Sequence, residues 1–255
     1  MRRYSPVLLA AALFLIGMCF VNVAGAETQG GVVRQKWKFS GIFGSFDRSA
    51  IQRGYQVYKE VCSSCHSMSR IAFRNLRDVG FSEEEVKAIA SSYSVSDGPN
   101  EAGEMFERPG MPADYFPNPF PNKEAAAASN NGAYPPDLSL IIKARHNGAD
   151  YVYSLLTGYE GSEPDEGGLY LNRHFPGGKI AMAPPLFEGA VNYSDGTVPS
   201  VENVARDVVN FLQWAAEPEM ERRKKLGIKV VFSLAIGTVL VALVHSRLRK
   251  ALLKQ

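Results

Sequence analysis

The chain has 255 residues, 45% of them hydrophobic, with 28 Lys/Arg against 26 Asp/Glu and a net charge of +2. The basic excess sits at the two ends: Arg2 and Arg3 at the start, and nine Lys/Arg against two acids from Glu219 onward, which leaves residues 27–218 with 17 basic and 24 acidic groups, net −7. That sign excludes a nucleic-acid binder, whose main body is basic, and about 190 residues suit one domain with a sizeable core.

Residues 1–26 read as a secretory signal that is cleaved. Arg2 and Arg3 form its charged start, 7–23 its apolar run, and Ala24-Gly25-Ala26 its small-residue cleavage site. The apolar run is also long enough for an N-terminal membrane anchor. Residues 37–47, WKFSGIFGSFD, are aromatic and glycine-rich, a segment to be laid over a core. Asp47 is placed to cap a helix on which Ile51, Tyr55, Tyr58 and Cys62 recur on one face. Gly54 sits on that helix at a cost of about 1 kcal/mol against alanine, which marks a place where another helix comes close.

The helix runs into Cys62-Ser63-Ser64-Cys65-His66. Two thiols one helical turn apart, with an imidazole beside the second, are the attachment pattern of a c-type haem: each thiol adds to a vinyl group and the histidine takes an axial position on iron. A redox dithiol, half a zinc site and a plain disulfide compete for the same C-x-x-C. Zinc would want more thiolates, and the third cysteine, Cys19, lies in the segment to be removed.

Next, Ser82 and Glu85 make a capping box ahead of a helix that fades by residues 91–96, with Phe81 and Val86 placed for a hydrophobic staple. Residues 99–136 hold eight of the 15 prolines and read as a wrapping loop broken by a short Ala-rich turn at 124–128. Two short helices are expected at 137–146 and 149–156, with Gly148 and Gly158 as their stops. A second Gly/Pro-rich loop covers 159–193. Ser200 then caps an amphipathic helix with Val201, Val204, Val208, Phe211, Leu212 and Ala215 on one face. No strand pattern extends beyond a few residues, so the fold class is mainly α.

Residues 226–244 are apolar but for Lys229 and a few small polar groups, long enough to span a bilayer. Basic residues flank both ends, so the signal, rather than loop charge, sets the orientation: domain outside, last residues in the cytoplasm. The expected divisions are a haem domain at 27–218, a basic juxtamembrane segment at 219–225, a transmembrane helix at 226–245 and a cytoplasmic tail at 246–255.

An iron held by one histidine needs a sixth ligand or an open position. Met105, Met111, Met182, His146 and His174 are candidates. Met68 is too close to His66 to reach the opposite face, and Met220 lies against the membrane. Met111 (PGMP) and Met182 (AMAPP) look alike from the sequence, each on a loop stiffened by proline. The acidic clusters at Glu101, Glu104, Glu107 and at Glu160, Glu163, Asp165, Glu166 are candidates for docking a basic partner.

Four runs, QRGYQVYKEVCSSCHSM, NNGAYPPDLSLIIKARHNGADYVYSLLTGY, GKIAMAPPL and FLQWAAEPEMERRKKLG, occur in this order and together resemble the cytochrome c1 family of bacterial type. These are the membrane-anchored haem subunits of the cytochrome bc1 complex, a quinol:cytochrome c oxidoreductase. The resemblance implies a cytochrome c-like domain with long ordered loops and one C-terminal transmembrane helix. It implies one covalent haem c per chain, with Cys62 and Cys65 as thioether sites and His66 and Met182 as axial ligands. Arg145 and Tyr151 would contact haem propionates, with Asn130, Pro135 and Pro136 lining the pocket. The implied partners are cytochrome b, the Rieske iron–sulfur protein, membrane lipid and a transient soluble cytochrome c, in a dimeric complex of the bacterial inner membrane with the haem domain in the periplasm. A closed sixth position leaves no place for substrate, so bond-making chemistry is not expected of the chain itself. A peroxidase-like haem protein or a haem sensor would differ in keeping that position open or in carrying a signalling domain.

Overall fold

A computed structural model describes residues 31–253. The expected signal at 1–26, with Cys19, and the last two residues of the tail lie outside the described residues.

Trp37, Phe39 and Phe46 of the aromatic segment are buried, as expected of a strap over the core. The Trp37 indole donates to an Asp150 carboxylate oxygen at 2.7 Å. Helix α1, Arg48–Val57, begins where the Asp47 carboxylate accepts from the Ala50 amide. It continues as a π-helical turn, Tyr58–Cys62, closed by the Ser63 amide on the Tyr58 carbonyl at 2.8 Å. Such turns insert one residue into a helix and are frequent at functional sites. A 3₁₀ segment, Phe73–Val79, leads to α2, Glu83–Ser91, whose capping box is complete: the Glu85 amide donates to the Ser82 hydroxyl and the Ser82 amide to the Glu85 carboxylate.

Beyond α2 the chain forms a hairpin of β1, Ser94–Asp97, and β2, Phe106–Pro109, pairing Ser94 with Pro109 and Asp97 with Phe106. The sequence pattern shows only a fading helix and a loop here. The hairpin closes because Arg108 is held between Asp97 and the two oxygens of Asp114, at 2.7 and 3.0 Å from the latter. The Ala-rich turn is helix α3, Lys123–Ala128.

The helix expected at 137–146 is instead a run of turns. Its amides mostly reach back three residues, Ile141 to Leu138 and Lys143 to Leu140, while the Leu138 amide goes to Ser67 and the Ser139 hydroxyl accepts from the Arg70 amide. These long-range bonds tie the segment to residues 67–70, and its own amides mostly close three-residue turns in place of the four-residue ladder of an α-helix. Gly148, expected as a stop, begins α4, Gly148–Thr157, directly after Asn147 in the left-handed region. A small hairpin, β3 Tyr170–Leu171 with β4 Lys179–Ile180, precedes α5, Val201–Ala216, capped by Ser200.

The core is the packing of α1 on α5, with α4 also against α5. Tyr55 of α1 and Tyr58 of the π turn each meet both Phe116 and Phe211 of α5, with ring centroids 5.7–6.1 Å apart. At the rim the Arg53 guanidinium forks onto Asp207 of α5 at 2.7 and 3.0 Å.

The last element, α6, is one helix from Met220 to Leu252. It takes in the basic segment as well as the apolar run, and its apolar side chains are exposed, as a lipid-facing span requires. Its first turn belongs to the domain. Met220 is buried, the Glu221 carboxylate accepts from the Phe46 amide and the Arg48 fork, and the Lys224 ammonium donates to the Phe39 and Gly44 carbonyls. A chain cut after Lys225 should therefore leave the membrane with its fold intact. One cut after Pro218 should also be released but melt about 5–10 °C lower, having lost a buried Met and its neighbouring bonds. Thermal unfolding of the two fragments checks this, and equal melting points would show that the first turn of α6 is only an appendage.

Candidate functional site

The site begins where the π turn ends. The Cys65 and His66 amides both donate to the Cys62 carbonyl, at 3.2 and 2.9 Å, which folds the C-x-x-C-H run into one tight turn. Cys62 and Cys65 are half-buried and not joined to each other. Burial, with Cys65 alongside, pushes the Cys62 thiol up to about 12. A thiol held in its protonated form is a weak redox nucleophile, since thiol–disulfide exchange needs the thiolate.

His66 is treated differently. Burial lowers its pKa, against the opposing pull of the Pro136 carbonyl and Asp137, so the ring is neutral. Its Nδ1 lies 2.8 Å from the Pro136 carbonyl oxygen. A carbonyl only accepts, so Nδ1 carries the hydrogen and the lone pair is left on Nε2, the tautomer a metal ligand needs.

What fastens Pro136 there is Asp137, a residue that no sequence motif marks. One of its oxygens accepts from the Ser67 hydroxyl at 2.9 Å and from the Ser69 amide and hydroxyl at 2.9 and 2.8 Å, the other from the Ser139 amide at 2.8 Å. Burial alone would raise this carboxyl, but those donors outweigh it and hold it down at about 2. A carboxyl depressed in the folded chain stabilises it fully above the unfolded value of about 3.9, and that contribution is lost as pH falls through the folded value. Asp137→Asn should thus destabilise the domain at pH 7, with the gap to the parent closing between about pH 4 and pH 2. Denaturant melts across that range check it, and a gap independent of pH would sink the assignment. The sequence holds only a faint pointer in S-x-S near the histidine and D-x-S after the paired prolines, because the partners lie about 70 positions apart.

Met182 follows β4 and is half-buried. Its carbonyl accepts from the Tyr159 hydroxyl at 3.0 Å, while Tyr159 bridges to Asn172, whose side chain donates to the Leu155 carbonyl of α4. The methionine loop is thus tied to the end of α4. Met111 is 50% exposed and Met105 63% exposed. Met68 is fully buried in the core, His146 is exposed, and His174 is buried behind Gly158. Burial therefore separates the two methionines that look alike in sequence.

Arg145 stands exposed in the turn before α4, with one guanidinium nitrogen on the Ala144 carbonyl. Tyr151 lies half-buried on the first turns of α4, close enough for the Arg145 charge to oppose the rise that burial gives its hydroxyl. Asn130 is half-buried and donates to the Ala126 carbonyl at 2.7 Å, and Pro135 is half-buried one residue before the carbonyl that meets His66.

Among the described residues no three His, Cys, Asp or Glu side chains gather into a group that could hold a metal ion. A model of the cytochrome C1 family matches residues 37–252. The chain belongs to the cytochrome c1 family. It is 52% identical over 243 residues to the protein named cytochrome c1-2, heme protein, mitochondrial, of Solanum tuberosum, covering 92% of each. It is 45% identical over 252 residues to cytochrome c1 of Rhodospirillum rubrum, covering 90% of this chain and 93% of that one. It also matches the cytochrome b/c1 of Bradyrhizobium diazoefficiens at 51% over 226 residues, 79% of this chain and 33% of that one. Cytochrome c1 chains are haem electron-transfer subunits of the bc1 complex. The donors here fit such a group: two unbridged thiols in a C-x-x-C-H turn, and a neutral imidazole with its Nε2 lone pair free.

Proposed function

We propose that the chain covalently binds one haem c through Cys62 and Cys65, takes an electron from the Rieske iron–sulfur protein and passes it to a soluble cytochrome c. The observation that carries this reading is the His66 ring set by the Pro136 carbonyl beside two unbridged thiols. The bound group supplies a one-electron Fe(III)/Fe(II) couple. His66 would hold the iron through Nε2, with Pro136 and Asp137 keeping the ring from turning. Met182 would hold it through its thioether sulfur, its loop anchored through Tyr159 and Asn172. Arg145 and Tyr151 would neutralise and bond the haem propionates, which are costly to leave unpaired, and Asn130, Pro135 and Pro136 would line the pocket. With His66 and Met182 both on the iron, no position would be left for a substrate, and the chain would carry electrons.

The cleaved signal, a periplasmic domain and a cytoplasmic end complete the reading, within a dimeric complex that includes cytochrome b. The purified chain should keep its haem colour through denaturing electrophoresis and show the methionine–iron charge-transfer band when oxidised. Loss of the colour on denaturation would overturn covalent attachment.

The docking step adds a separate expectation. A transient complex needs a small interface and an on-rate helped by long-range attraction, which salt screens over about 8 Å at physiological strength. In the structure Asp165 is bound to the Lys179 ammonium at 2.7 Å and caps its loop through the Gly167 and Leu169 amides, so its charge is already answered. Glu163 and Glu166 are exposed. Glu163→Gln with Glu166→Gln should flatten the salt dependence of electron transfer to a basic cytochrome c without changing the haem spectrum. A rate independent of salt in the unaltered protein would rule out steering by charge.

A further inference from the structure

Residues 37–44 end in an exposed apolar tip: Ile42 is 69% exposed and Phe43 87% exposed. The tip is rigid. Gly41 takes a φ of +74°, and a Cβ on Gly44 would lie 2.2 Å from the Ser40 carbonyl oxygen, so the turn is closed as tightly as a backbone allows. Its base is buried, with the Trp37 and Phe39 rings stacked at 5.2 Å. Nothing inside the domain accounts for the two large side chains held outward.

The contacts with α6 say where the tip lies. Glu221 takes the Arg48 guanidinium and the Phe46 amide, and Lys224, one turn nearer the membrane, takes the Gly44 and Phe39 carbonyls. Moving down α6 by three residues, about 4.5 Å, thus moves the contacts from Arg48 and Phe46 to Phe39 and Gly44, the two arms from which the 40–43 tip projects. Continued one step, residues 41–43 come level with 225–228, where the apolar run of α6 begins at Leu226. The headgroup layer on each side of the hydrocarbon core is roughly 5–8 Å thick, so the tip falls within it. Aromatic and branched side chains there are stabilised by burial against the acyl boundary, and a rigid turn loses little entropy on entering.

We infer that the 41–44 turn is an interfacial wedge that seats Ile42 and Phe43 in the lipid headgroup region beside the membrane helix. Together with α6 it gives the haem domain two points of support and so fixes its tilt on the bilayer. A single helix would allow the domain to swivel. The inference rests on reading α6 as the membrane span.

The test uses the intact bc1 complex in phosphatidylcholine–phosphatidylglycerol bilayers, with Cys62 and Cys65 occupied by haem. Nitroxide labels are placed through Phe43→Cys at the tip, Val231→Cys on α6, and Phe187→Cys on the exposed loop after Met182. Collision with oxygen, which partitions into lipid, is compared with collision with a water-soluble nickel chelate. The oxygen-to-nickel ratio at position 43 should be several-fold above that at 187 and below that at 231. A low ratio at 231 would sink the span itself. A high ratio at 231 with position 43 matching 187 would put the tip in water and overturn the wedge. Protection of position 43 from both reagents would place a protein partner over it and overturn lipid as the occupant.

Discussion

Met182→Leu should leave the haem attached while lowering its reduction potential by about 0.2 V, within the ~0.8 V range that axial ligation spans. A thioether is a soft ligand that favours ferrous iron, so its removal stabilises the ferric state. Leucine fills nearly the same volume, a swap that costs under about 1.5 kcal/mol in packed sites. The Tyr159 hydroxyl bonds to the main-chain carbonyl of residue 182 and is kept in the variant. The loop should therefore stay in place with one ligand missing, and the reduced protein should bind carbon monoxide where the parent does not. Met111→Leu is the control. Its side chain is half exposed, and its amide bond to Asp114 does not depend on the side chain, so potential and spectrum should hold. The reverse outcome, with Met111 the sensitive position, would transfer the sixth ligand to the loop after β2.

Features that depend on near neighbours are legible in the amino-acid order itself. Asp47, Ser82 with Glu85, and Ser200 cap helices through bonds that reach three residues, and each cap stands where its spacing places it. The C-x-x-C-H run and the apolar tail are equally local. Longer-range balances are not legible in this way. The segment at 137–147 carries helix-forming residues, but the Asp137 carboxylate, the Leu138 amide and the Ser139 hydroxyl are tied to Ser67, Ser69 and Arg70, and sequence periodicity has no term for bonds of that range. The β1–β2 hairpin likewise depends on Arg108 meeting Asp114, which holds together four residues that have no alternating apolar pattern. In the site, the histidine is evident from its motif and its orienting carboxylate is not, because Asp137 works on a segment distant in sequence. Between Met111 and Met182 local chemistry is symmetrical; the resemblance names Met182, and the fold differs at the two only in burial, a property no local pattern carries.

Gly54→Ala is the substitution expected to damage the fold most for the fewest atoms added. By helix propensity alone it should help, since glycine inside a helix costs about 1 kcal/mol against alanine. In this chain the new Cβ would lie 2.1 Å from the Asp207 carbonyl oxygen, 2.7 Å from its carbon and 2.8 Å from the Phe211 Cβ. The first two are backbone atoms of α5, so no rotamer change relieves the overlap and α1 and α5 must part. Overpacking of this kind costs typically about 1–3 kcal/mol, sometimes more. Here the same movement strains the Arg53 fork on Asp207 and loosens Tyr55 and Tyr58 from Phe211. A net loss of about 3 kcal/mol is expected, or roughly 6–12 °C in melting temperature for a domain of this size. Because α1 runs directly into the turn that carries Cys62, Cys65 and His66, the methionine–iron band should weaken at temperatures well below unfolding. Gly227→Ala, in open space on α6, has no such obstacle and should leave both readings unchanged. Should Gly54→Ala melt with or above the parent, the close crossing of α1 and α5 is not what sets the position of the haem-attachment turn.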